Sequence, residues 1–192
     1  MTPQPIKATC KRDFFPAYHS SGTRDLRDVW WVVIHDEEAP SARGAARYFQ
    51  SPDSGGSAHL CVDQNECYRC LPNEAIPCGA ASAFGANTHG FHIEMAGYAS
   101  WSPAEWEKHL GELQRAAFKA ALHCKLFKIP PVFVSSERLP GKHGITTHAE
   151  VSAASRRLDP ENASRYSHSD PGAGFPRAHF MRLVDGYYQA LP

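Results

Sequence analysis

Hydrophobic and polar positions alternate between two periods along this chain, and the switches between them outline its elements. Val29-Trp-Trp-Val-Val-Ile34 is a continuous apolar run rich in β-branched and aromatic residues, which predicts a strand buried on both faces and ending at His35. Ser41 to Gln50 has a capping serine, small residues and one apolar face, so a short helix is expected there. Ser57–Asp63 and Glu66–Leu71 flank a Gln64-Asn65 turn and predict a hairpin. Residues 72–90, rich in Gly, Ala, Asn and Pro, read as a loop.

Gly90 to Gly97 forms the next strand, in which His92 and Glu94 alternate with Phe91, Ile93 and Met95 and share one face. Ser102-Pro-Ala-Glu opens the longest helix with a capping box and a proline at the first helical position, and its helical spacing runs to Phe127. The run Gly144-Ile-Thr-Thr leads into His148, and Phe175 onward reads as a closing amphipathic helix. Strands and helices are mixed without a strict βαβ repeat, so the chain is of the α/β class. Residues 1–28 are polar, irregular and proline-bearing, and are expected to form an N-terminal arm on a domain spanning 29–192.

Composition narrows the functional classes. Twenty basic and twenty acidic residues cancel over 192 positions, which argues against a nucleic-acid partner. No run approaches a membrane span, and no apolar segment follows the first residues, so the expectation is a protein made in the cytoplasm without a signal peptide. Six scattered cysteines do not resemble a disulfide scaffold. Cys67-Tyr-Arg-Cys70 lacks the second pair of a zinc ribbon and the strand-to-helix setting of a redox site, so buried unpaired thiols are expected.

Candidate chemistry concentrates in three residues. His35 ends the first strand, where a ring at the sheet rim serves either as a ligand or as a hydrogen-bonded strand end. His148 follows the second β-branched run, and Asp170 precedes a Pro-Gly turn 22 positions later. Two imidazoles and one carboxylate leave a tetrahedral zinc site one ligand short, which is the arrangement of a catalytic rather than a structural site. Glu94 is either an idle half-exposed strand carboxylate or one aimed into a site.

Five segments in order carry a resemblance. Val-Val-Ile-His35, Ala45-Ala-Arg-Tyr-Phe-Gln-Ser-Pro-Asp-Ser-Gly-Gly-Ser-Ala-His59, His92-Ile-Glu-Met-Ala-Gly97, Gly144-Ile-Thr-Thr-His-Ala-Glu-Val-Ser152 and His168-Ser-Asp-Pro-Gly-Ala-Gly-Phe-Pro176 resemble the successive motifs of type 2 N-acetylmuramoyl-L-alanine amidases. That zinc family includes peptidoglycan recognition proteins and many phage endolysins, and the match looks nearest to endolysins of actinobacterial phages. The resemblance implies a central mixed β-sheet flanked by helices. It further implies one zinc ion held by His35, His148 and Asp170, with Glu94 handling the attacking water and His168 beside the scissile carbonyl.

By the same resemblance His59 and Asn87 are expected to contact substrate, the partner is peptidoglycan or its muropeptides, and the protein is a monomer. An endolysin would reach the wall by holin-type release. Two departures stand out: Ala58 occupies a place where some relatives carry tyrosine, and the loop motif Trp-His-Ala-Gly appears as Ile76-Pro-Cys-Gly79. The alternatives are a non-catalytic peptidoglycan-binding module and a cytoplasmic muropeptide-recycling amidase. The presence of Asp170, absent from binding-only relatives, favours the enzyme.

Overall fold

The computed structural model describes residues 14–192. Its centre is a five-stranded sheet in the order β3-β2-β4-β1-β5. The strands are β1 (Trp31–Asp36), β2 (Leu60–Val62), β3 (Cys67–Arg69), β4 (Gly90–Met95) and β5 (Gly144–Thr147). All neighbouring pairs are parallel except the β2–β3 hairpin, so the sheet is mixed, as the resemblance implied. Six helices flank it: α1 (Ala42–Phe49), α2 (Ala86–His89), α3 (Pro103–Lys108), α4 (Leu110–Phe127), α5 (His148–Leu158) and α6 (Arg177–Ala190).

Alternation along the strands sorts side chains onto two faces. Val32 and Ile34 of β1, Phe91, Ile93 and Met95 of β4, and Leu60 and Val62 of β2 join one core with α4 and α6. Trp31 and Val33 point the other way, against Val151 and Ala154 of α5, while Cys61 meets Ala42, Ala46 and Phe49 of α1. His35, His92 and Glu94 belong by parity to this second face. They therefore stand between α1 and α5, toward the carboxyl ends of the parallel strands, where open α/β sheets bind ligands.

The elements differ from the sequence reading at four places. β1 runs on through His35 and Asp36, because both pair with β4, at Glu94 and Met95. The long helix is two: His109, at φ −103° and ψ 36°, separates α3 from α4, and its ring stacks on Trp101 at 4.3 Å. Trp106 of α3 then turns fully inward between Trp101 and Phe175. No helix-breaking residue occupies position 109, so this bend comes from packing. Finally, a helix not expected from the pattern, α5, starts directly at His148. Within residues 72–90, read as loop, one short helical turn (α2) forms.

Residues 14–28 lie along the sheet's hairpin edge. The amides of Phe15 and Ala17 donate to the carbonyls of Arg69 and Cys70, and Thr23 bridges Ala75. Cys67 is disulfide-bonded, which corrects the expectation of a free thiol there, whereas Cys61, Cys70, Cys78 and Cys124 are free. Cys10 and the rest of the first thirteen residues lie outside the described part. No described helix is long and apolar enough to cross a membrane.

Candidate metal centre

Three elements deliver one donor each to a single point. His35 is fixed in β1, an inner strand paired with β4 and β5, and is 2% exposed. Thr147 caps α5 by accepting the Glu150 amide, so His148 occupies the first helical turn with its backbone held. Asp170 sits in the loop before α6, and its carbonyl accepts the Ala149 amide at 2.9 Å. That loop runs hard against residues 99–102: a Cβ on Gly172 would lie 1.9 Å from the Ala99 carbonyl oxygen, and one on Gly174 the same distance from that of Trp101.

The donors converge. Asp170 Oδ2 lies 3.0 Å from His35 Nδ1, and Oδ1 lies 3.0 Å from His148 Nδ1. One ligand atom from each residue falls within 4.8 Å of the other two, and all three residues are buried. Every ion pair of Asp170 among the described residues is with a histidine. Burial opposes a charged Asp170, but hydrogen bonds from His148, His168 and His35 overcome it and hold its pKa far below the carboxylate range. Burial likewise opposes protonating His35, yet Glu94, Asp170 and Asp36 outweigh it and raise its pKa. His148, more fully governed by burial, is pushed down to about 4 and stays neutral. A carboxylate and two imidazoles with Nδ1 atoms directed at one point form a donor set suited to a borderline divalent cation, with a coordination position left open.

Glu94 is the register partner of His35 across β1 and β4, with Oε1 3.9 Å from His35 Nδ1. Burial pushes its pKa to about 8, the His35 charge lowering it and the Asp170 and Asp36 carboxylates adding to the rise. The carboxyl is buried, not half-exposed, and faces the donor cluster. His168 stacks on the His148 ring at 4.2 Å and 13°, with Nδ1 3.6 Å from Asp170 Oδ1. The Asp170 carboxylate raises its pKa, and its side chain is 61% exposed at the mouth of the site. All of these residues line one cleft of about 400 Å³, with Asp36, Glu37 and Glu38 along one wall.

The two residues expected to touch substrate do not themselves line this cleft. His59 is wholly buried; its Nδ1 accepts the His92 amide, and its Nε2 meets the Ala75 carbonyl oxygen at 3.1 Å. Asn87 Oδ1 accepts the amides of Gly79 and Ala80, shaping the loop at the cleft edge. One residue to which the sequence reading assigned no role stands beside the cluster. His92, fully buried, places Nδ1 3.0 Å from His35 Nε2. Its alternation with Glu94 was the available signal.

Fold and site together define a class: a mixed sheet with a buried His-His-Asp cluster and an adjoining carboxylate at its carboxyl edge. The family model described as N-acetylmuramoyl-L-alanine amidase matches residues 25–162, and the chain belongs to that family of hydrolytic amidases. His35, Glu94 and His148 fall inside the match, and Asp170 lies beyond its end. Solved structures agree in fold. The hydrolase AmiA of Staphylococcus aureus, solved with its ligand, has a TM-score of 0.64 at 19% identity, covering 89% of this chain and 78% of that one. The catalytic domain of XlyA gives 0.58 at 18% identity over 90% and 96% of the two chains. A selenomethionine derivative of AmpD gives 0.57 at 18% over 88% and 92%. No curated protein sequence matches the chain.

Proposed function

We propose that this chain is a zinc-dependent N-acetylmuramoyl-L-alanine amidase that cleaves the amide joining the muramic acid lactyl group to L-alanine in peptidoglycan. The observation that carries the proposal is the meeting of His35, His148 and Asp170 with Glu94 in register beside them, in a chain of the amidase family. His35, His148 and Asp170 would hold the ion, which supplies Lewis acidity toward a carbonyl and lowers the pKa of water.

The protein's own groups then divide the proton work. Glu94 takes the proton from the attacking water and delivers it to the departing L-alanine nitrogen, the two halves of general base and general acid catalysis. With an ion held by His35, His148 and Asp170, Glu94 would titrate below its buried value and its carboxylate would be available as the base. His168, whose protonated form Asp170 favours and which is exposed at the mouth, donates to the carbonyl oxygen as negative charge develops.

The motif resemblance supports a lytic role of the endolysin kind, acting on the intact wall as a monomer. The test is digestion of purified peptidoglycan with the zinc-loaded protein. New N-terminal L-alanine with intact glycan strands is expected, and Glu94→Gln should release none. New reducing sugars without free L-alanine would overturn the assignment. A strong preference for soluble muropeptides over intact sacculi would replace the lytic role with a recycling one.

A further inference from the structure

The imidazole of His92 lies directly behind the first ligand, in contact with its distal nitrogen. Two hydrogen bonds run through it: His35 Nε2 to His92 Nδ1 at 3.0 Å, and His92 Nε2 to the Ala86 carbonyl oxygen at 3.1 Å. A carbonyl oxygen only accepts, so His92 Nε2 carries the hydrogen. Neutral His92 then has a lone pair on Nδ1, and His35 Nε2 must donate to it. The direction of the whole chain follows from its last member. His35 is left with its second nitrogen, Nδ1, facing Asp170 and His148.

The surroundings are built around both bonds. A Cβ on Gly79 would lie 2.7 Å from His92 Nδ1, beside the first bond. A Cβ on Gly90 would lie 2.6 Å from His92 Nε2 and 2.3 Å from the Ala86 oxygen, beside the second. Neither position admits a side chain while the ring is in place. The terminal acceptor is also held: Arg24 Nη1 donates to the carbonyls of Asn87, Thr88 and Gly90, and the Ala86 amide donates to Ser82 Oγ at 2.7 Å. On the other side, the His92 backbone amide is tied to His59 Nδ1.

We infer that His92 is a positioning residue for the metal centre: the relay Ala86–His92–His35 sets the His35 tautomer so that Nδ1 is presented to the ion. Partners that orient a ligand in this way typically alter metal affinity 10- to 100-fold when removed. The inference rests on the zinc reading above, and its tests read metal binding rather than turnover.

Zinc affinity of the full chain, measured by competition with a chromophoric chelator, should weaken about 10- to 100-fold in His92→Leu, which keeps the bulk and loses the acceptor. His92→Asn, with Oδ1 near the place of Nδ1, should stay within about threefold of the parent, and Gly79→Ala should follow His92→Leu. The cobalt-substituted His92→Leu protein should show a shifted visible spectrum. Long-range proton–nitrogen spectra of the zinc-loaded parent should place hydrogen on Nε2 of both His35 and His92, a readout that needs no variant to fold. Parent-like zinc affinity and cobalt spectrum in His92→Leu, equal losses in the Leu and Asn variants, or hydrogen on His92 Nδ1 would each overturn the relay. A parent protein that binds no zinc would instead overturn the metal reading itself.

Discussion

The Ala149 amide donates to the carbonyl of Asp170 at 2.9 Å, joining the loop of the third donor to the first turn of the helix that begins with the second. His148 and Asp170 are thereby positioned by the same backbone, and their side chains meet at 3.0 Å. The loop reaches this place only because Gly172 and Gly174 let it lie against the backbone of residues 99–102.

Gly174→Ala tests that dependence. The added carbon would sit 1.9 Å from the Trp101 oxygen, against rigid backbone, so the loop must shift. A stability loss of about 1–3 kcal/mol is expected together with weakened zinc binding. Gly141→Ala is the control, since its nearest neighbour is 3.7 Å away. Thermal denaturation with and without zinc reads both effects, and equal behaviour of the two variants would refute the packing account.

Metal removal should act on stability as well as on rate. Zinc at about a thousand times its Kd adds roughly 4 kcal/mol, or about 8–16 °C in Tm for a domain of this size. A chelator should remove that increment and the amidase activity together, and readded zinc should restore both. Asp170→Ala should purify with almost no zinc and show no chelator-dependent change in Tm, as elemental analysis and calorimetry would report.

The alkaline side of the pH profile should belong to His168. Asp170 raises its pKa and a bound cation would oppose that rise, so the protonated form is present below the resulting pKa and disappears as pH climbs through it. Activity that relies on the cation therefore falls on the alkaline side, by about 100- to 1000-fold for one oxyanion donor. His168→Lys, whose ammonium stays charged to about pH 10, should extend the active range upward. Profiles of kcat/KM for the two proteins that coincide from pH 6 to 9 would remove His168 from the chemistry.

Glu112 bears on stability away from the site. It is 1% exposed on α4, its Oε1 has no hydrogen-bond partner, and burial, with Asp63 and Asp36, raises its pKa to about 9. The folded state then binds a proton that the unfolded state has released, so stability declines as pH rises from about 4.5 to about 9. Glu112→Gln cannot titrate and should be more stable than the parent at pH 8 by about 1–3 kcal/mol, with little difference at pH 4. Denaturant titrations at the two pH values decide it.

Much of the molecule was legible in the linear pattern because the signals are local. The apolar run before His35, the alternation of His92 and Glu94 with Phe91, Ile93 and Met95, and the Ser102 cap each report a backbone state that a few neighbouring residues determine. The hairpin turn at Gln64-Asn65 is of the same kind. Family motifs then singled out His35, Glu94, His148, His168 and Asp170. The break at His109 was not legible, because it follows from where Trp106 and Trp101 pack rather than from any breaker residue. Nor was the start of α5 at His148, where a β-branched run passes into a helix through the Thr147 cap.

What the sequence alone determined is the α/β class, the order of the strands and the residue types able to hold a cation. What only the tertiary structure decided is which of them meet. His59 is drawn beneath the cleft because both its ring nitrogens are used inside the fold, while His92, one strand over, is placed against His35. The same alternation is written at both positions of the chain. Only the register of β4 beside β1, with Gly79 and Gly90 leaving room for the ring, makes one of these histidines a neighbour of His35 and the candidate metal centre.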